Sequence, residues 1–278
     1  MFWREIVVLA VAAAPVVAAS APDTVSMPPY RVDAGGFADS ERDIRAVCDS
    51  AGLELWRYFP DQRIEPFVVV RGRGGPITLF ERNPHREIVI QLDTGERLWC
   101  QYAYQFAHEF CHVLCGFKPG DSSNQWFEET LCELASLYAI RGMARSWRTN
   151  PPYPHWRDYG DALRDYADQA MSRRPHAGEI ARIGLTAFYT RHEAALRSLP
   201  VDRDLTGSIA VVLLDSFEKR PQHWGAVRWL NARKTETVRS FDTYLADWME
   251  TVPDEHRPFV VEIAGLFGRT IERPVNRD

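Results

Sequence analysis

The sequence predicts an α+β fold: a small sheet and two helices, followed by an all-helical C-terminal region. Three runs rich in β-branched residues lie between residues 66 and 92 and are separated by glycine- and proline-containing turns. Apolar residues then recur at helical spacing over residues 101–116 and 124–140, and most of the chain beyond residue 157 continues with helical patterns. A sheet followed by helices in this order is typical of an α+β layer.

The first twenty residues have the pattern of a signal peptide. Residues 6–21 form an almost continuous apolar stretch rich in alanine and valine, which is shorter than the roughly 20 residues needed to cross a bilayer. Small residues follow, and they favour cleavage after Ala19 or Ser20. We therefore predict a secreted or periplasmic protein that has no membrane attachment after cleavage. An uncleaved single-helix anchor is the alternative.

Composition indicates a soluble globular protein. The chain is 45% hydrophobic and 26% charged with a net charge of −5, which does not favour nucleic acid as a partner. Its basic residues are thirty arginines and three lysines, a bias typical of a GC-rich bacterial genome. The proline-rich run at residues 150–156 predicts a boundary between a core at residues 21–149 and a helical subdomain at residues 150–278. The sequence does not determine the oligomeric state.

The elements before the site are predicted from periodicity. An amphipathic helix is expected over residues 40–58, and strands are expected over residues 66–71, 76–81 and 87–92. The inward face of that helix is expected to carry Ile44, Val47, Cys48, Leu53 and Trp56. The later helices are expected over residues 157–171, 178–199, 204–219, 222–231, 235–251 and 258–267.

The helix over residues 101–116 carries the motif HExxH as His108, Glu109 and His112. Two histidines four residues apart lie on one helix face, so both imidazoles reach one Zn²⁺, and the glutamate beside them is placed as a general base. Apolar residues at helical spacing surround the motif, and Gly116 ends the run. The sequence therefore predicts half of a catalytic zinc site.

A catalytic zinc needs a third protein ligand and one open position. The metzincin pattern is excluded, because Cys115 and Lys118 stand where its glycine and third histidine belong. A short connection makes the next helix an antiparallel neighbour, which brings Glu129 level with the histidine pair. Glu133 then lies one turn further on, near His108, as an acceptor for that ring's other N–H.

Two further groups on these helices remain open. Glu128 is expected to be a solvated helix charge, and Cys115 is expected to pack as a small buried residue, with a role as fourth metal ligand as the alternative. An odd number of cysteines leaves at least one unpaired, and a bridge between Cys111 and Cys132 is the candidate disulfide. The remaining cysteines are Cys48 and Cys100.

The segments HEFCH and WFEETLCELASLYA resemble the gluzincin superfamily of zinc metallopeptidases, which includes aminopeptidase-N-like and minigluzincin-like cores. The resemblance covers residues 67 to about 143. It implies that His108, His112 and Glu129 bind Zn²⁺, that Glu109 is the base, and that Glu133 is the acidic residue one turn past the ligand. It also implies a cleft lined by an edge strand near residues 77–80 or 88–90, and a buried helix at residues 207–214.

The resemblance weakens at the group expected to stabilise the transition state. Aminopeptidase-like enzymes place a tyrosine three residues before the matching glycine, where this chain has Asp204. Tyr189 and His192 are the nearest candidates to replace it as an oxyanion donor. A GxMEN motif is also absent from the sequence, so an amine-anchoring exopeptidase site has no support.

These observations predict an exported zinc metallopeptidase acting on a peptide or protein substrate. Zn²⁺ lowers the pKa of a bound water molecule, and Glu109 takes its proton as the water attacks the peptide carbonyl. The alternative is an inactive binding or scaffold protein in which the metal staples the helices and the C-terminal region binds partners. A hydrolase acting on a nonprotein amide of the cell wall differs only in substrate.

Overall fold

The computed structural model describes residues 25–116 and 118–271 and confirms the α+β class. A four-stranded mixed sheet precedes two long helices, and shorter helices follow. The predicted signal peptide at residues 1–20 lies outside the described residues. None of the helices in the described ranges is long and apolar enough to span a bilayer.

The first helix, α1, spans Glu41–Trp56 and begins where the sequence predicts. The Ser40 side chain accepts a hydrogen bond of 3.1 Å from the Asp43 backbone N–H, which satisfies one of the free donors at the helix start. Its buried face carries Ile44, Val47, Cys48, Ala51 and Leu55, whereas Leu53 and Trp56 are only partly buried.

The sheet contains β1 (Tyr30–Val32), β2 (Phe67–Arg71), β3 (Ile77–Leu79) and β4 (Ile88–Leu92) in the order β1-β2-β4-β3. The β1–β2 and β2–β4 pairs are parallel, while β3 runs antiparallel to β4. β3 is therefore an edge strand and β4 is an internal strand. Of the two strands expected as the edge strand that lines a cleft, only β3 lies at an edge of the sheet. β1 was not predicted, because three residues carry too little alternation to indicate a strand.

The site helices are α2 (Trp99–Leu114) and α3 (Gln125–Ser146). Contacts at Glu128 with His112 and at Glu133 with Tyr104 show that the two run antiparallel. Both helices pack against α1, and α2 also packs against β3 and β4. This arrangement places the sheet edge beside the HExxH motif. α3 extends six residues beyond the predicted end at Ile140.

The C-terminal region is helical. The helices predicted over residues 157–171, 204–219 and 258–267 are present within two residues of those bounds, whereas the other three are divided or shorter. The helix expected over residues 178–199 is divided into two helices, because Gly184 has a φ of 82°, which is not helical. Only residues 224–227 of the first remaining range, 222–231, and residues 241–251 of the second, 235–251, are α-helical. The proline-rich run contains a 3₁₀ turn at Pro154–Trp156. The elements are α4 (Tyr159–Ser172), α5 (Ala177–Ile183), α6 (Leu185–Ser198), α7 (Arg203–Lys219), α8 (Trp224–Val227), α9 (Phe241–Thr251) and α10 (Arg257–Leu266).

α3 is the central helix of the protein. It contacts α1, α2, α4, α6 and α7, and polar residues such as Glu128, Thr130 and Glu133 are buried along with its apolar residues. The middle of α7 packs on it through buried residues that include Ile209, Ala210 and Leu213. Charged groups on α3 therefore lie among other protein groups, which decides the character of the site.

Candidate metal centre

The histidine pair and Glu129 converge between α2 and α3. The Nε2 atom of His108 lies 3.2 Å from one carboxylate oxygen of Glu129, and the Nε2 atom of His112 lies 3.7 Å from the other. The two imidazole centroids are 5.2 Å apart. The same ring nitrogen of each histidine thus faces one carboxylate, as a shared cation requires.

A His/Cys cluster that could hold a metal ion is present at this position. Ligand atoms of His108, His112 and Cys132 all lie within 4.8 Å of one another. Two side chains are therefore close enough to the histidines to serve as the third ligand: the Glu129 carboxylate and the Cys132 thiol. Glu129 lines the adjoining cavity, whereas Cys132 is fully buried and does not line it.

Glu128 is part of the site, and the prediction that it is a solvated charge was wrong. Its carboxylate is buried, and one oxygen lies 2.7 Å from Nδ1 of His112. The other oxygen accepts a hydrogen bond of 2.7 Å from Asn231 and lies 3.6 Å from Nζ of Lys234. The segment after α8 covers this end of α3 and leaves the Glu128 side chain only 5% exposed, at the adjoining cavity. Because Glu128 contacts Nδ1 of His112, the Nε2 atom of that ring is left to bind an ion.

The ionisable groups hold one another in charged forms. Burial opposes a charged imidazole at His112, but the hydrogen bond to Glu128 and the nearby carboxylates outweigh it and raise the pKa of His112 to about 10. Burial likewise opposes ionisation of Glu129, but His108 and His112 outweigh it and lower the pKa of Glu129 to about 2. A metal cation that enters the site therefore displaces protons from the imidazoles and balances the charge of the carboxylates in their place.

Glu133 lies beside His108, at 3.7 Å between its Oε1 atom and Nδ1 of the ring. Neither atom has a hydrogen-bond partner within the described part of the chain, although both are buried. The other oxygen of Glu133 accepts hydrogen bonds of 2.7 Å from Tyr104 and 2.6 Å from Arg174. The sequence did not indicate Tyr104 or Arg174, because these residues, 29 and 41 positions from Glu133, meet it only in the folded structure.

Glu109 is buried and is held by a strand residue. The Thr78 hydroxyl lies 2.9 Å from a carboxylate oxygen of Glu109 and 3.0 Å from its backbone oxygen. Thr78 is in β3, so the edge strand and the predicted base are directly connected. A threonine in a short strand is ordinary, and no signal in the sequence distinguished it.

A cavity of about 510 Å³ opens over these groups. One wall is the sheet edge, where the Ile77 and Phe80 side chains are half exposed. The lining also includes the histidine pair with Glu109 and Glu129, and further residues such as Val201 and Arg203. The Arg203 Nε atom lies 3.4 Å from Glu133, and its side chain remains 55% exposed, so a cation borders the cavity at the start of α7.

The structure does not bring Tyr189 or His192 to this cavity. Tyr189 is fully buried in a cluster of aromatic rings that includes Trp126 and Phe241. His192 packs against Phe188 and lies near Glu179. These faces of α6 pack into the C-terminal region, so the proposed replacement of the tyrosine by either residue was wrong.

The predicted bridge between Cys111 and Cys132 is not formed. All five cysteines, which lie within the described ranges, are free and buried. Cys115 is also fully buried, in keeping with a packing role.

Comparisons of this chain with protein-family models, with curated proteins and with solved structures gave no match.

Proposed function

We propose that this chain is an exported zinc-dependent metallopeptidase that hydrolyses peptide bonds. One observation carries the proposal: the histidine pair, the Glu129 carboxylate and the separate buried glutamate Glu109 line one cavity beside the edge strand β3. The order of sheet, HExxH helix and glutamate-bearing helix is the one implied by the gluzincin resemblance, which supports it. Export rests on the predicted signal peptide at residues 1–20.

Zinc fits the donor set. Two imidazoles and a carboxylate are the ligands of many catalytic zinc sites, and they leave a fourth position open. The acceptor that fixes His112 through its other nitrogen is Glu128, as zinc-binding histidines usually require. Glu129 is preferred over Cys132 as third ligand, because only Glu129 borders the cavity from which an ion and water enter.

A Zn²⁺ ion held by His108, His112 and Glu129 would supply Lewis acidity, which would polarise the substrate carbonyl and lower the pKa of the attacking water. The Glu109 carboxylate accepts the proton of the attacking water and delivers it to the leaving amine. The Thr78 hydroxyl keeps one oxygen of that carboxylate oriented while the cavity gives access to it. Glu109 thus acts on protons, whereas the other three side chains hold the cation.

The substrate proposed is an extended peptide lying along β3. The outer edge of this strand has no neighbouring strand within the described ranges, so its backbone can pair with a peptide in the manner of an added strand. Such pairing recognises the backbone groups of the peptide more than its side chains. Arg203, which also lines the cavity, would offer a positive charge to the developing oxyanion or to a substrate carboxylate.

The test is the pair wild type and Glu109→Gln. Both should bind about one zinc per chain with similar thermal stability, since Glu109 is not a ligand. Hydrolysis should fall by at least about 100-fold in the variant. Glu41→Gln, which removes an exposed charge from α1, is the matched control and should keep full activity.

A digest of denatured proteins and cell-wall peptides supplies the substrate for this comparison. Loss of activity in Glu109→Gln alone supports the peptidase, and the cleaved member of the panel identifies the amide. Equal inactivity of wild type and variant on the whole panel, with zinc bound to both, would instead favour the noncatalytic scaffold.

A further inference from the structure

Three thiols form a second cluster behind the histidine pair. Ligand atoms of Cys111, Cys115 and Cys132 lie within 4.8 Å of one another, and all three side chains are fully buried. Cys111 and Cys115 are four residues apart at the end of α2, so their side chains lie on one face. Cys132 reaches them from α3. The cluster therefore joins the two helices.

The spacing matches a trigonal metal site. The sulfurs of Cys111 and Cys115 are 4.0 Å apart. Three metal–sulfur bonds of about 2.3 Å in a plane hold their sulfurs about 4 Å from one another. An ion of this kind fits between the thiols with little movement of α2, whereas a disulfide requires the sulfurs to approach to about 2 Å.

We propose that Cys111, Cys115 and Cys132 form a second metal site that binds one soft, thiophilic cation, such as Cu⁺ or Cd²⁺. Thiolates select soft ions, and none of these three residues lines the cavity that serves the histidine pair. Each thiol that binds releases its proton to solvent. The site is sealed, so uptake requires local separation of α2 and α3 and is slow compared with uptake through the cavity.

Cys132 belongs to both clusters, and this has a consequence for the zinc site. Its ligand atom lies within 4.8 Å of those of His108 and His112 as well as those of the other two thiols. A soft ion in the thiol site keeps Cys132 away from the histidines and leaves Glu129 as their third ligand. The thiol site does not depend on peptidase activity, and its test uses metal binding alone.

The first experiment uses unmodified, metal-free protein loaded with one equivalent of Cd²⁺. X-ray absorption at the cadmium edge counts the sulfur neighbours of the ion. Three sulfurs are expected. One sulfur with nitrogen or oxygen neighbours would place the ion between the histidines and Cys132, and no sulfur would place it at the carboxylate; either result overturns the proposal.

The second experiment compares variants by the ultraviolet charge-transfer band of cadmium thiolate. Cys111→Ala and Cys115→Ala should each weaken Cd²⁺ binding at least tenfold, and His112→Ala should leave the band in place. Cys48→Ala removes an equally buried thiol from α1 and should change nothing. A band lost in His112→Ala but retained in Cys115→Ala would refute the thiol site, and circular dichroism checks that each variant is folded.

Discussion

The Glu128→Gln variant tests whether the buried carboxylate next to His112 serves the metal or only the fold. The substitution keeps the size of the side chain but replaces one acceptor oxygen with an NH₂ donor. Both oxygens of Glu128 are in use, one at 2.7 Å from His112 and the other at 2.7 Å from the Asn231 amide. Whichever way the amide turns, a donor faces a donor.

The size of the effect on zinc affinity or on stability depends on which contact of Glu128 is lost. If the amide nitrogen faces His112, the ring loses the acceptor that orients it, and zinc affinity should fall by about 10- to 100-fold, or ~1.4 to 2.8 kcal/mol. If it faces Asn231 and Lys234, a buried donor is left unsatisfied, which costs about 1–3 kcal/mol of folding stability. We expect weaker zinc binding, because two donors, Asn231 and Lys234, face one oxygen of Glu128, whereas the Nδ1–H of His112 alone faces the other.

Competition with a chelator measures zinc affinity, and urea unfolding of metal-free protein measures stability. Glu218→Gln is the control, since it removes a partly buried carboxylate paired with Arg141 at 2.7 Å. The control should lose stability without a change in the chelator midpoint. If Glu128→Gln behaves in the same way as Glu218→Gln, Glu128 is a structural ion pair and its proposed role at the metal is refuted.

Glu129→Ala should lower zinc content sharply, and undiminished zinc by elemental analysis would assign the third ligand elsewhere. Gly207→Ala places a methyl 2.5 Å from the Arg174 guanidinium carbon, and hydrogen bonds to Tyr104 and Glu133 hold that guanidinium in place. Urea unfolding should therefore show a net loss of about 1–3 kcal/mol despite the better helix propensity of alanine; a gain would contradict this. Burial and then Arg220 lower the pKa of His223 from 6.5 to about 4, so the unfolded chain binds more protons and stability should fall from pH 6.5 toward pH 4. Melting temperatures of His223→Gln should show a flatter profile over that range, and an unchanged slope would exclude His223 as the cause.

The sequence was sufficient wherever the deciding interaction is local. Helix geometry alone places His108 and His112 on one face with Glu109 beside them, and the structure has that helix at Trp99–Leu114. The short connection to the next helix also brought Glu129 to the histidine pair. Local patterns likewise predicted the α+β class and three of the four strands.

Residues whose role depends on distant partners were misjudged or missed. Glu128 was expected in solvent because its neighbours along α3 do not reveal that Asn231, 103 residues away, covers it. Thr78 and Glu109 are 31 residues apart, and Arg174 and Glu133 are 41 apart. Tyr189 shows the converse error, since chain position suggested a place near the site but aromatic packing took the ring into the core.

The sequence by itself determined the donor types and their spacing along two helices, because residues three or four apart on a helix are neighbours in any fold. Only the tertiary structure decided which carboxylates are buried, which strand edge faces the site, and that three thiols from α2 and α3 meet. The physical reason is that burial and pairing of a charge or thiol depend on the groups packed around it. Those groups come from distant parts of the chain, and α3, which packs against several other helices, is where most of them meet.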